Sequence, residues 1–223
     1  MNKKLFIEAI SKFLLGVILV GVLVFLPAGT LEYVNGWIFM GLLFIPMFIA
    51  GLIMMKKSPN LLKERLDAKE KQKEQSLVVK LSGLMFLLGF IVAGLDYRYS
   101  WLKISPIVTY VAIALFILSY LMYAEVLREN AYLSRTIKVV ENQKVVDTGL
   151  YGLVRHPMYS ATIVLFLSMP LVLGSLIAFF IFIPYIFIIG FRAVNEEKVL
   201  MKELEGYEEY TKKVKYRLIP FIW

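Results

Sequence analysis

Two short clusters hold most of the side chains able to do chemistry in this chain. The first is D-T-G-L-Y-G-L-V-R-H-P-M-Y, residues 147–159, with Tyr151, Arg155, Tyr159 and the lone histidine, His156. Asp147, Thr148 and Gly149 predict a turn. Pro157 predicts the first turn of a helix, where its missing N–H leaves no bond unmade. Arg155 and His156 then stand at a helix N-terminus, whose N–H groups and positive dipole end favour an anion. In the plainer reading Arg155 is an interfacial anchor and His156 a locally bonded residue. The second cluster is F-R-A-V-N-E-E-K-V-L, residues 191–200. Arg192 and Glu196 are four apart, share one helical face and could pair. The guanidinium is a planar fork for a carboxylate or phosphate on an amphipathic substrate. Read plainly, Arg192 snorkels to headgroups, with Glu196 and Glu197 solvated.

The elements that must position these clusters are membrane helices. Of 223 residues, 59% are hydrophobic and 19% charged, and the mean hydropathy is +0.71. Soluble domains sit nearer 45–50% apolar and about 25% charged. Uncharged or nearly uncharged stretches cover residues 13–28, 36–55, 77–95 and 104–124. A further one runs for 34 residues, from Met158 to Phe191. That length of helix would measure about 51 Å against a hydrocarbon core of roughly 30 Å. It is expected to fold back at Pro170, Gly174 and Ser175, as a short helix followed by a longer one. The expected fold is therefore an all-α integral membrane protein with about six transmembrane helices, or five if the hairpin does not fully cross.

Charge sets the expected orientation. The net charge is +8, and 21 of the 25 basic residues fall in 1–9, 56–76, 125–157 and 192–223. Six crossings put all four segments on one side, and the positive-inside rule makes that side cytoplasmic, with both termini. Ser58-Pro59 before N-L-L-K-E-R-L predicts a short cytoplasmic helix, read as a connector on anionic headgroups. The stretches 125–157 and 192–223 are too small for a separate domain and should pack on the helix ends as one unit. The tail G-Y-E-E-Y-T-K-K-V-K-Y-R-L-I-P-F-I-W reads as an interfacial aromatic segment and a floor for a cytoplasmic site, not as a nucleic-acid surface.

Several chemistries drop out. Cysteine is absent and histidine occurs once, which excludes disulfides, Cys-based zinc, iron–sulfur and multi-His metal centres. No G-x-G-x-x-G, P-loop or H-E-x-x-H pattern occurs. The spans carry no carboxylate of the kind an ion-coupled transporter needs, and Lys80 is their one charge, near an end where it can snorkel.

In order, N-x-Y-L-S-R (Asn130 to Arg135), V-V-D-T-G-L-Y, R-H-P-M-Y, R-x-x-x-E-E, G-Y-x-x-Y and Y-R-L-I-P resemble the isoprenylcysteine carboxyl methyltransferase family. The likeness is closest to its shorter prokaryotic members and covers roughly residues 96–223; 1–95 supplies N-terminal helices and the connector. Phospholipid N-methyltransferases are related. The resemblance implies a prokaryotic plasma-membrane enzyme with S-adenosylmethionine at the cytoplasmic end of the last helices and no metal. Cofactor contacts are implied for a strand-like stretch Gln143, Lys144, Val145 and Val146, and for Tyr151, His156, Pro157, Met158, Tyr159 and Glu196; Arg155 is a further candidate, for the cofactor's carboxylate. The substrate-contacting arginine falls on Arg192, so Arg192 and Glu196 are the expected catalytic pair.

The implied chemistry is O-methylation of the carboxylate of a prenylcysteine-like or other lipidic partner. Such an acceptor is ionised at pH 7 and needs alignment more than a base. An ethanolamine headgroup acceptor would instead need a base, and Glu196 and Glu197 are the suspects. A membrane protein without enzymatic activity is the third reading.

Overall fold

Within hydrocarbon the backbone has no water to bond, so long apolar runs must close their hydrogen bonds internally as helix. The computed structural model describes residues 3–66, 73–130, 132, 139 and 142–223. Its helices are α1 (Lys3–Ala28), α2 (Val34–Lys57), α3 (Pro59–Leu66), α4 (Lys73–Tyr99), α5 (Pro106–Glu129), α6 (Pro157–Val172), α7 (Leu176–Phe182), α8 (Tyr185–Glu203) and α9 (Tyr207–Lys213). A 3-10 turn, Gly149–Gly152, precedes α6. Lys69, Lys71, Ser134 and Arg135 of the basic collar and the N-x-Y-L-S-R motif lie outside the described residues.

Five helices are long and apolar enough to cross a membrane: α1, α2, Ser76–Tyr99 of α4, α5, and α7–α8 taken together as Leu176–Glu203. The chain is an all-α integral membrane protein. Its outer faces fit that solvent, since Leu15, Ile18, Leu26, Ile107 and Phe187 stay exposed. The last apolar run does fold back where expected. Gly174 turns with φ +85°, and Ser175 caps α7 by accepting from the Ala178 N–H at 3.1 Å. The short arm α6 nonetheless reaches the far end of the bundle, because the Leu173 carbonyl accepts from the Tyr33 hydroxyl at the start of α2.

That far end also corrects the expectation that Lys80 is the only charge within the spans. Asp96 is buried near the end of α4, one residue past the apolar stretch. It accepts from Ser175 Oγ at 2.5 Å and from the Leu102 N–H at 3.1 Å. A buried carboxylate bonded in this way is an anchor for the hairpin turn.

The core is aromatic. Phe39, Phe116 and Phe182 are fully enclosed, and Phe182 meets Phe86 edge-on at 5.5 Å. Where α4 crosses α1 the backbones touch, since a Cβ on Gly94 would lie 2.6 Å from the Val24 carbonyl oxygen. Small residues permit that approach.

The short connector helix forms as expected, with Pro59 in its first turn. It does more than lie on headgroups, however. Arg65 donates to Met158 Sδ at 3.7 Å from Nη1, and its guanidinium stands 5.2 Å from the centre of the Tyr123 ring. α3 is thereby joined to the first turn of α6.

Candidate active site

α6 begins with His156 and Pro157 because the chain must switch there from a turn to a helix. What precedes it is fixed by the tail. The Arg155 and His156 N–H groups donate to the carbonyls of Tyr216 and Arg217, both at 2.9 Å. The helix-start amides expected to await an anion are thus partly closed by protein. The two C-terminal stretches pack as one unit through further ties: Tyr210 donates to the Tyr151 carbonyl at 2.7 Å, and Lys213 to Asp147 at 2.6 Å.

Below this junction lies a partly open cleft of about 80 Å³. Gln143, Lys144, Val145 and Val146 form one wall, and Tyr151, Arg155, His156, Met158, Tyr159 and Glu196 another. Of the residues expected at a cofactor, only Pro157 stays off the walls, buried behind them as the first residue of α6. The expected strand-like stretch is irregular chain: residues 143–147 form no strand. The expected catalytic arginine, Arg192, is also behind the wall. It reaches the cleft through a neighbour.

That neighbour is Tyr159. Arg192 Nε donates to the Tyr159 oxygen at 3.0 Å, and the Tyr159 hydroxyl donates to Glu196 Oε2. Tyr159, from α6, therefore bonds to both of the residues whose spacing suggested a pair. Glu196 is partly open, its side chain 25% exposed.

Glu197, which spacing alone left as a solvated residue, is the buried hub. It accepts from Arg155 Nε at 2.6 Å and from Arg217 Nε at 2.8 Å. Arg155 also donates from Nη1 to the carbonyls of Val214 and Lys215. These donors tie Arg155 to the tail. His156 lies 3.3 Å from Glu197 Oε1 through Nε2, but out of line for a hydrogen bond, and Nε2 has no partner among the described residues. Its ring is stacked on Tyr159 at 5.4 Å.

Tyr151 is fixed by Asn130, whose Nδ2 donates to the phenol at 2.9 Å. Burial pushes the Tyr151 phenol up to about 12. It is neutral at any ordinary pH. Asn130, Tyr132, Tyr207, Tyr210, Leu200 and Leu204 complete the walls. Sequence reasoning placed none of these at the cofactor, although Tyr207 and Tyr210, three apart on a helix, share a face.

The cleft suits a ligand that is part aromatic, part charged. Tyrosine faces flank it, Glu196 supplies negative charge, and His156 brings a buried imidazole to its wall. No group of three or more His, Asp or Glu able to hold a metal occurs among the described residues.

Comparison with known proteins places this arrangement. Residues 107–206, from the first turn of α5 to the α8–α9 junction, match the phospholipid methyltransferase family model. The mouse (Mus musculus) protein Delta(14)-sterol reductase is 31% identical over 97 residues, 40% of this chain and 22% of the reductase. The chain therefore spans about a fifth of the length of that curated relative. The segment 107–206, which holds both clusters, is thus similar to the phospholipid methyltransferase family.

Proposed function

We propose that this protein is a membrane-embedded, S-adenosylmethionine-dependent methyltransferase whose acceptor is the carboxylate of a prenylcysteine-like or other amphipathic molecule. The observation that carries the reading is the Arg192–Tyr159–Glu196 relay, which links a buried cation to the wall of the cleft. The distribution of basic residues supports a cytoplasmic cleft, and the resemblance to the shorter prokaryotic enzymes supports a plasma membrane of that kind.

Within this reading S-adenosylmethionine supplies an already activated methyl group. The chain's own work is placement. Tyr151, Tyr159 and Met158 offer ring and thioether surfaces for the adenine and sulfonium. His156 Nε2 and the 143–146 wall offer polar contacts. Arg192 orients the acceptor carboxylate, and Tyr159 fixes the direction in which its guanidinium points. Holding two reactants in line is worth on the order of 7–11 kcal/mol, and an ionised carboxylate has no proton to remove.

A second reading is favoured by the family match itself: an ethanolamine-headgroup N-methyltransferase. There Glu196 would accept the amine's proton. The reductase relative is a reminder that this segment also occurs in a protein named for a different reaction.

Incubating the purified protein with methyl-labelled cofactor and native lipid extract tests the proposal. Label in a base-labile methyl ester supports the carboxylate; label in a headgroup amine supports the second reading. Calorimetry with S-adenosylhomocysteine tests both enzymatic readings together. No binding by the folded protein would remove them and leave a non-enzymatic membrane protein. Arg192→Ala should abolish transfer and spare cofactor binding.

A further inference from the structure

Three buried side-chain polar atoms lack a hydrogen-bond partner among the described residues: His156 Nε2, Asn195 Nδ2 and Tyr207 Oη. His156 and Tyr207 line the cleft, and Tyr207 belongs to neither cluster read from the sequence. It opens α9 after Gly206, whose φ of +81° sets the bend that turns the ring inward. The residue is 4% exposed, and its ring packs on Tyr210 at 5.6 Å. Burial, then the nearby Glu197 and Glu196, push its phenol far above the usual range, so it remains a neutral hydroxyl with one donor and two acceptor sites. Buried hydroxyls are rarely left unbonded in native proteins. A ligand is the natural partner for this one.

The surrounding charge says which part of a ligand. Glu197 is engaged by Arg155 and Arg217, and the partly open Glu196 presents its carboxylate to the cleft beside the Tyr159 hydroxyl, 3.9 Å from His156 Nδ1. A carboxylate ringed by phenols attracts a cation. We propose that the Tyr207 hydroxyl contacts the cofactor and, with Glu196, holds the ammonium of its amino-acid end. This rests on the S-adenosylmethionine reading above, and gives a role to the first tyrosine of G-Y-x-x-Y, which the resemblance left without one.

The test is calorimetry on the full chain in detergent, wild type and Tyr207→Phe, with two probes. S-adenosylhomocysteine has the amino-acid end; 5′-methylthioadenosine lacks it. Phenylalanine keeps the ring and its packing. The expected result is that Tyr207→Phe weakens S-adenosylhomocysteine by about tenfold or more, as for a lost hydrogen bond to a charged group. Binding of 5′-methylthioadenosine should stay within about twofold on the same reasoning. The ligand-free variant should melt no lower than wild type, since it loses only an unbonded hydroxyl. Unchanged affinity for S-adenosylhomocysteine overturns the proposal. Equal weakening of both probes also overturns it, moving the contact to the nucleoside. If wild type binds neither probe, the failure lies with the methyltransferase reading, and the Tyr207 assignment falls with it.

Discussion

Glu197→Gln separates a buried structural hub from a catalytic base. Gln keeps the shape, but its one carbonyl can satisfy only one of two guanidiniums, and its amide turns N–H groups toward the other. Arg155 and Glu197 are both buried, their side chains 7% and 4% exposed, at 2.6 Å. Losing a hydrogen bond between charged groups at such a site costs about 1.5–3 kcal/mol. Arg217 is 33% exposed, and solvent screening holds its share below about 1 kcal/mol. A total of about 2–3 kcal/mol raises the opening equilibrium of the tail about 30- to 150-fold. Arg155 grips the carbonyls of Val214 and Lys215, while its own N–H and that of His156 bond to Tyr216 and Arg217. Hydrogen exchange read by mass spectrometry should therefore accelerate in peptides covering 153–158 and 214–220, with α5 unchanged. Equal exchange in variant and wild type would refute the hub. Uniform acceleration across all helices would refute the idea that it acts locally.

Tyr159→Phe should lower the initial rate of labelled methyl transfer about 10- to 100-fold, the worth of hydrogen bonds to charged groups. It should change S-adenosylhomocysteine affinity little, because the ring face remains; a variant with full transfer activity would dissolve the relay. Arg65→Ala removes a cation–π and thioether contact worth about 0.5–1 kcal/mol, and tryptic cleavage after Lys63 should quicken; an unchanged rate would detach α3 from the site. Gly174→Ala sets a Cβ at φ +85° and 2.8 Å from Asn35 Nδ2, costing about 1–2 kcal/mol of backbone strain. The thermal midpoint in detergent should drop with no change in cofactor-analogue affinity, as the turn lies at the opposite end of the bundle. Lys213 holds the Asp147 carboxyl below its ordinary value. A lowered carboxyl contributes above its unfolded pKa, about 3.9, and its contribution fades as pH falls through the lowered value. The offset in analogue binding between Asp147→Asn and wild type should thus stay constant from pH 8 to 5 and shrink only below about pH 4; an offset that changes near pH 6 would place another titrating group in control.

The spans, the hairpin turn at Gly174 and most of one cleft wall were legible because each rests on local rules. Apolar length, a positive-φ glycine and a proline at a helix start are written in neighbouring residues. The Tyr159 bridge was not legible, because i,i+4 spacing describes one helix in isolation. It cannot show a phenol from another helix that bonds to both Arg192 and Glu196. The two adjacent glutamates failed for a related reason. Consecutive helical residues point about 100° apart, so one faces the cleft and the other the tail, yet sequence gives them equal claims. Asp96 was missed by one residue, where an apolar count ended just short of a buried carboxylate. α3 looked like a surface connector because its polar composition cannot reveal that Arg65 meets Met158.

Helix length explains why the chemistry sits where it does. α6, with 16 residues, measures about 24 Å, whereas the 28 residues of Leu176–Glu203 reach about 42 Å at 1.5 Å each. Both start from the same buried turn at Gly174. Even with tilt and the break at Pro184, α6 must end many ångströms short of its partner, below the level of a hydrocarbon core about 30 Å thick. The result is a step, with His156 and Tyr159 at its foot and Glu196 and Glu197 on its riser. The tail folds into that step and roofs it through Arg155, Arg217 and Tyr210. A protein dealing only with water-soluble ligands has no need to sink a helix start so deep. One that brings a lipid-borne acceptor to a polar cofactor does, because the two must meet within bonding distance while each keeps its own solvent. Lengthening α6 by one turn above Pro157 should therefore abolish transfer to a membrane-borne acceptor, even if the inserted turn leaves the fold intact by circular dichroism. Undiminished transfer would show that the depth of the step is incidental.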